Sequence, residues 1–282
     1  MANGNWRGRT RKVGLGLATI LGFGARGFFV PYRHAATATG SVYPAISTLF
    51  DAHKTGFATL IDDIDRFESA LQAIPAEASA PAPRWNQDWF PRLDAAAAYA
   101  MVRAHQPRLI VEVGSGHSTR FLLRAIEDEG LTTRIVAIDP APRAPFASER
   151  IEHIARPLEH TGPRVLEQLD GGDILFIDSS HVFMPGTDVD ILLNRVLPAL
   201  PSAVIVHVHD VFLPDPYPES WRWRGYNEQS AFAALMHSQA YVPLFSSHYV
   251  ASSMAARLAR SAIARLPLPD GAYETSLWLE KR

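Results

Sequence analysis

The apolar run Leu109-Ile110-Val111-Glu112-Val113 passes without a spacer into Gly114-Ser115-Gly116-His117-Ser118-Thr119, and a helical pattern follows at once. A short buried strand, a tight glycine turn and a helix in that order leave few architectures open. Open α/β sheets hold ligands at the carboxyl ends of their strands, where glycine lets the backbone come close and a hydroxyl caps the next helix. Ser118 and Thr119 supply such hydroxyls.

The rest of the chain extends this pattern. Strand candidates recur at 134–138, 151–155, 174–177, 203–208, 241–246 and 276–279, with helical segments at 92–104, 119–128, 162–169, 189–197 and 227–238. That alternation predicts an α/β, Rossmann-like fold with a seven-stranded, mostly parallel sheet and an N-terminal helical extension. Three regions are expected: a basic and apolar arm over 1–42, a helical extension with a proline-rich linker over 43–90, and the α/β domain over 91–282. In the extension, Ile46, Leu49, Phe50, Phe57, Leu60, Ile61 and Ile64 recur at helical spacing. Trp85, Trp89 and Phe90 close the linker, as cover for a core edge or as a flap over a ligand.

Composition removes several function classes. With 27 basic and 29 acidic residues the net charge is −2, which excludes a strongly basic nucleic-acid binder. No cysteine is present, so disulfides, thiolate zinc sites, iron–sulfur clusters and cysteine nucleophiles are excluded, and a reducing, cytoplasmic setting is allowed.

The ligand class follows from details of the turn. The strand at 134–138 ends in Asp139, and an acid there accepts hydrogen bonds from ribose hydroxyls. A nicotinamide dinucleotide and S-adenosylmethionine both suit that arrangement. The dinucleotide pattern requires glycine where this chain has Thr119, and it places a pyrophosphate at the helix N-terminus. S-adenosylmethionine has no pyrophosphate but brings an ammonium group, for which Glu112 is a direct or indirect anchor. The candidate cofactor residues are Glu112, Gly114, Ser115, Gly116, Ser118, Asp139 and Asp178, and the order E-V-G-S-G-H-S favours S-adenosylmethionine.

Residues 112–118 with Asp139 resemble the first two cofactor motifs of the class I S-adenosylmethionine-dependent methyltransferases. Four stretches resemble a bacterial branch of that superfamily: WNQDWF from Trp85, GSGHSTRF from Gly114, LFIDSSH from Leu175 and HDVFLP from His209. The resemblance implies seven strands with an antiparallel last strand and a cofactor lying across the switch point. Ser118 stands where many members carry a third glycine.

A second group of polar residues follows the fourth and fifth strand candidates: Asp178, His181, His209 and Asp210. Adjacent parallel strands bring such ends together. His181 then suits a general base, with Asp178 and Asp210 as its catalytic partners. Alternatively Asp178, Asp210 and His209 hold a divalent cation, Mg or Mn, which lowers the pKa of an acceptor. His207 belongs on the strand and is left out. The loop over 212–226, rich in proline, tryptophan and arginine, is a candidate acceptor wall, with Arg222 and Arg224 as candidate anion contacts.

The expected function is methyl transfer from S-adenosylmethionine to an oxygen of a small-molecule or sugar-like acceptor. The alternatives are an NAD-dependent oxidoreductase and a non-catalytic cofactor-binding module. Nucleic acid is not expected as a partner. Arg7, Arg9, Arg11 and Lys12 precede an apolar run at 13–25 that is short of the ~20 residues needed to span a bilayer. This head reads as a docking or disordered arm, a peripheral membrane contact, or a cleaved signal.

Overall fold

A computed structural model describes residues 6–24, 26–146 and 148–282. The chain divides into two compact units, residues 1–41 with 217–225, and residues 42–216 with 226–282.

In the larger unit, α2 (Pro44–Arg66), α3 (Glu68–Gln72) and α4 (Arg92–His105) precede the sheet; α1 (Trp6–Ile20) belongs to the smaller unit. The sheet is formed by β1 (Leu109–Val113), β2 (Arg134–Ile138), β3 (Ile151–Ile154), β4 (Ile174–Ile177), β5 (Ile205–Val208), β6 (Tyr241–Ser246) and β7 (Leu277–Lys281). Its order is β3-β2-β1-β4-β5-β7-β6. The first five strands are parallel, and β7 runs antiparallel to both β5 and β6. Strand order reverses between β1 and β4, which is the switch point. Both strands are buried along their whole length, as expected of parallel strands covered on two faces.

Between the strands lie α5 (His117–Asp128), α6 (Asp188–Ile191), α7 (Leu197–Ala199), α8 (Gln229–His237), α9 (Ser247–Ser253) and α10 (Ala255–Leu258). The segment predicted as a helix over 162–169 is a 3-10 helix, Pro163–Gln168. Gly162 at φ +78° leads into it and extended Leu169 ends it, leaving too few residues for a stable α-helix. The segment predicted over 189–197 is α6 and α7 joined by a π turn, Leu192–Val196.

The helical extension shares the core of the sheet. Ile46, Phe50, Phe57, Ile61 and Ile64 of α2 are completely buried, and Phe57 meets Phe245 of β6 edge to face at 5.9 Å. In the proline-rich segment Trp85 and Phe90 are buried while Trp89 is exposed. The Trp85 indole N–H donates to the Leu71 carbonyl at 3.2 Å, and its ring lies 5.1 Å from that of Phe121 on α5. Phe90 lies edge to face on Phe176 of β4 at 5.7 Å. Two aromatic rings thus fasten the segment to the domain.

Among the described residues no helix is long and apolar enough to cross a membrane. In the smaller unit α1 ends on Gly22 at φ +77°, where Phe23 N–H donates to Ala18 and Gly22 N–H to Thr19. This is a glycine C-cap with paired carbonyls. The part of the expected arm over 6–20 is therefore helical.

Trp85→Ala should cost about 3–5 kcal/mol, as for other large aromatic truncations in a close-packed core. Urea denaturation monitored by circular dichroism measures this. A loss below about 1 kcal/mol would show that the segment lies passively on the domain.

Candidate functional site

Register brings the candidate residues together. Val113 lies opposite Ile138 and Ile177, and Ile177 lies opposite Val208, so four strands end in one row. The next residues are Gly114, Asp139, Asp178 and His209. Each is tied to its neighbouring strand: Gly114 N–H donates to Ile138, Asp139 to Ile154, Asp178 to Val113 and His209 to Ile177, all within 3.1 Å.

The turn after β1 is fixed from inside. Glu112 is buried and accepts from Ser118 Oγ at 2.5 Å and from Thr119 Oγ1 at 2.6 Å. Thr119 Oγ1 in turn accepts the Gly116 N–H at 3.0 Å. The acid therefore grips the start of α5 and the second glycine through two hydroxyls. Gly114 has φ +80°, and a Cβ there would lie 1.8 Å from the Asp178 carbonyl oxygen. Gly116 has φ +153° and ψ −107°, a conformation essentially restricted to glycine. Asp139 closes the turn by accepting from Ser115 N–H at 2.7 Å, Ser115 Oγ at 3.2 Å and Ala141 N–H at 2.7 Å.

Polar capacity is left over at this edge. His117 Nδ1 and Ser179 Oγ are buried without a hydrogen-bond partner. Burial pushes the His117 pKa down to about 4, with Arg120 and Arg84 adding to the shift, so its ring is neutral at pH 7. Two orphaned polar atoms beside a turn whose two glycines tolerate no side chain fit a polar ligand held by backbone and small groups.

On the far side of the switch point, Asp178, His181 and Asp210 offer ligand atoms that all lie within 4.8 Å of one another. His181 Nε2 is 3.3 Å from Asp178 Oδ1 and 3.4 Å from Asp210 Oδ2. His209 lies alongside, its Nδ1 3.5 Å from both carboxylates and its Nε2 3.3 Å from Asp94. The residues proposed from sequence for catalysis thus converge. Geometry groups His181 with the two acids most tightly, where the sequence pattern suggested His209 as a metal ligand.

Three further residues belong here: Glu228 and Asp94, which sequence reasoning passed over, and Tyr226, which it read only as part of the 212–226 loop. Glu228, before α8, is fully buried and accepts from His181 Nδ1 at 2.5 Å, while its Oε2 has no partner. Tyr226 lies over the His181 ring with centroids 4.3 Å apart. Asp94 of α4 accepts from the Thr275 and Ser276 N–H groups and faces His209. Asp94 had a signal, being a single acid within the apolar stretch Leu93–Val102.

Electrostatics within the cluster is cooperative. Burial alone would lower the His181 pKa, but Glu228, Asp178 and Asp210 outweigh it and hold it well above the ordinary value. The same balance, through Asp178 and Asp210, raises His209. Burial opposes ionisation of Asp178, yet His209 and His181 draw its pKa well below normal. His207 sits on β5, buried and stacked on Phe176 at 3.7 Å, with Nε2 2.8 Å from Ser276 Oγ.

Arg222 and Arg224 lie in the smaller unit, on the 3-10 helix Glu219–Arg224. Arg222 pairs with Glu219 at 3.3 Å, and Arg224 stacks over Trp221 at 4.0 Å.

Residues 111–211 match the family model described as a methyltransferase domain. No curated protein matches the chain. Among solved structures, the SAH-bound Podospora anserina methyltransferase PaMTH1 is similar at 16% identity and TM-score 0.42, over 91% of this chain and 99% of that one. The cmcI-D160 protein with Mg and SAM aligns at 16% identity and TM-score 0.34, over 49% of this chain and 58% of that one. The MycE methyltransferase of the mycinamycin biosynthetic pathway, in complex with Mg, SAH and mycinamycin VI, aligns at 16% and 0.37, over 78% and 54%. The chain therefore spans little more than half the length of two of these proteins.

Burial pushes the Glu112 carboxyl up to about 8, against the pull of the two hydroxyl donors. Between its ordinary value of 4.5 and about 8 the folded state then holds one proton more than the unfolded state, so this group lowers stability as pH rises through that window. Glu112→Gln removes the ionisation. Its stability relative to the wild type should rise between pH 5 and 8 by an amount on the order of 1 kcal/mol per pH unit, read from denaturant midpoints. Parallel curves for the two proteins would mean that Glu112 ionises freely in the fold.

Proposed function

We propose that this chain transfers the methyl group of S-adenosylmethionine to an oxygen of a small-molecule or sugar-like acceptor, acting in the cytoplasm with its N-terminal arm at a membrane surface. The observation that carries this reading is the row of strand ends. A glycine turn with an acid at the next strand end lies on one side of the switch point, and an acid–histidine cluster lies on the other. Both fall within residues 111–211, the span matched by the methyltransferase-domain family.

When bound, S-adenosylmethionine supplies an electrophilic methyl on a sulfonium, which leaves without proton assistance. The protein's tasks are then to hold the donor, align the acceptor and remove one proton. In this assignment Gly114, Ser115 and Gly116 give the donor backbone access, Asp139 accepts from its ribose hydroxyls, and Ser118 acts through Glu112 on the shape of the turn. Asp178, between turn and cluster, orients donor and acceptor together.

His181 takes the acceptor's proton in one version. Its Nδ1–H is committed to Glu228, so exchange occurs at Nε2, between the carboxylates of Asp178 and Asp210. In the second version Asp178, His181 and Asp210 would hold a divalent cation. The two carboxylates suit Mg or Mn, and a histidine whose outer nitrogen is bound to a carboxylate is oriented as metal-binding histidines are. Such an ion would acidify the acceptor hydroxyl, whose proton would pass to solvent, and His181 would serve as a ligand.

S-adenosylhomocysteine should raise the melting temperature while NAD does not, because a ligand that binds only the folded state stabilises it. Asp139→Ala should lose most of that shift. Stabilisation by NAD alone would replace this reading with the oxidoreductase, and an unchanged shift in Asp139→Ala would remove the ribose contact.

On a turned-over acceptor, His181→Ala and Asp210→Asn should keep the donor-induced shift but lose about 100-fold to 10,000-fold in rate. Chelation that stops the wild type, with recovery on adding Mg or Mn, selects the metal version. Indifference to chelation selects His181 as base. Undiminished turnover in both variants would take the cluster out of the mechanism.

A further inference from the structure

The smaller unit displays apolar side chains to an unusual degree. Val13, Leu17, Ile20, Leu21, Phe23, Phe28, Phe29, Val30 and Tyr32 are each more than half exposed, Phe23 by 82%. Elsewhere in the described chain, exposed large apolar residues are few and scattered, among them Val42, Trp89, Leu268 and Tyr273. Positions 13, 17 and 20 share one face of α1, and Leu21 follows in the turn that ends it. The glycine cap at Gly22 then turns the chain so that Phe23 follows directly.

Charge is segregated with equal sharpness. The first 50 residues hold six basic residues (Arg7, Arg9, Arg11, Lys12, Arg26 and Arg33) and no acid, since the first acid is Asp51. The remainder holds 21 basic and 29 acidic residues. A near-neutral protein thus carries all of its positive excess next to its exposed apolar residues.

We infer that the segment from α1 to Tyr32 docks on an anionic lipid surface, with the α1 face and Phe23, Phe28 and Phe29 in the interface and Arg11, Arg26 and Arg33 among lipid headgroups. This deepens the reading of the arm as a membrane contact and is independent of methyl transfer. Each element matches a requirement of interfacial binding: an apolar face, a basic flank, and a helix of 15 residues, about 22 Å long and too short to span. A nucleic-acid backbone would satisfy the arginines but give the phenylalanines no apolar environment. Lipid satisfies both.

The test uses the full chain in sedimentation with vesicles of phosphatidylcholine alone or with 30 mol% phosphatidylserine. Binding should require the anionic lipid and weaken as salt rises. Arg26→Gln with Arg33→Gln should weaken it about fivefold per charge, roughly 25-fold together. Phe23→Ser with Phe28→Ser and Phe29→Ser should reduce binding by at least as much at unchanged net charge. Thermal melting and the S-adenosylhomocysteine shift report whether each variant's domain is intact. Should that shift be absent throughout, the methyl-transfer reading fails while vesicle binding is still measured.

Equal binding to both vesicle types, no binding to either, or sedimentation by self-association without vesicles would overturn the inference. So would tighter binding to duplex DNA than to the anionic vesicles.

Discussion

The parallel ladder is the constraint on which this molecule depends. Because β1, β2, β4 and β5 are in step, the first residue beyond each strand donates its N–H to the neighbouring strand before the chain is released into a loop. Chemistry-bearing residues therefore begin at a common line. The glycine turn after β1 and Asp178 of the acid–histidine cluster are separated by only one strand-to-strand step, although they lie more than 60 residues apart in sequence. A rigid scaffold holds both, and helices on either face protect the ladder from water.

A second layer of order is electrostatic. Burial disfavours a charge on His181 and His209, and the surrounding carboxylates offset that penalty. Asp178 and Asp210 are shared between the two rings, while Glu228 holds the outer side of one and Asp94 that of the other. The backbone bends to make this possible: His181 and Asp210 both have positive φ, at +60° and +57°. Two non-glycine residues in that region within one site are backbone strain that the hydrogen-bonded surroundings hold in place.

Much of this architecture was legible from local pattern. Short apolar runs, the Gly114–Gly116 turn and the acid after β2 need only nearest neighbours to be recognised, and the seven strands lie within a few residues of their expected places. Where expectation and structure part, a local cause is visible, as with Gly162 and Pro163, which shorten a crossover to a 3-10 helix. The partners of the cluster were harder to find. Glu228 arrives from before α8 and Asp94 from α4, each far from the histidine it meets, so no spacing announces the pair. Tyr226 was read as part of an aromatic loop, but its neighbours at 217–225 belong to a different compact unit.

The contact between Gly114 and the Asp178 carbonyl also limits how this protein can be altered. With 1.8 Å available to a Cβ, no other amino acid fits at position 114 unless β1 and β4 part, and Gly116 is held by its backbone angles. A mutant library aimed at the turn after β1 would waste its diversity at both glycines. Variation is better placed at His117 and Ser179, whose buried polar atoms have no partners to lose. Changes there alter the polar groups beside the turn while leaving the strand-end hydrogen bonds as they are.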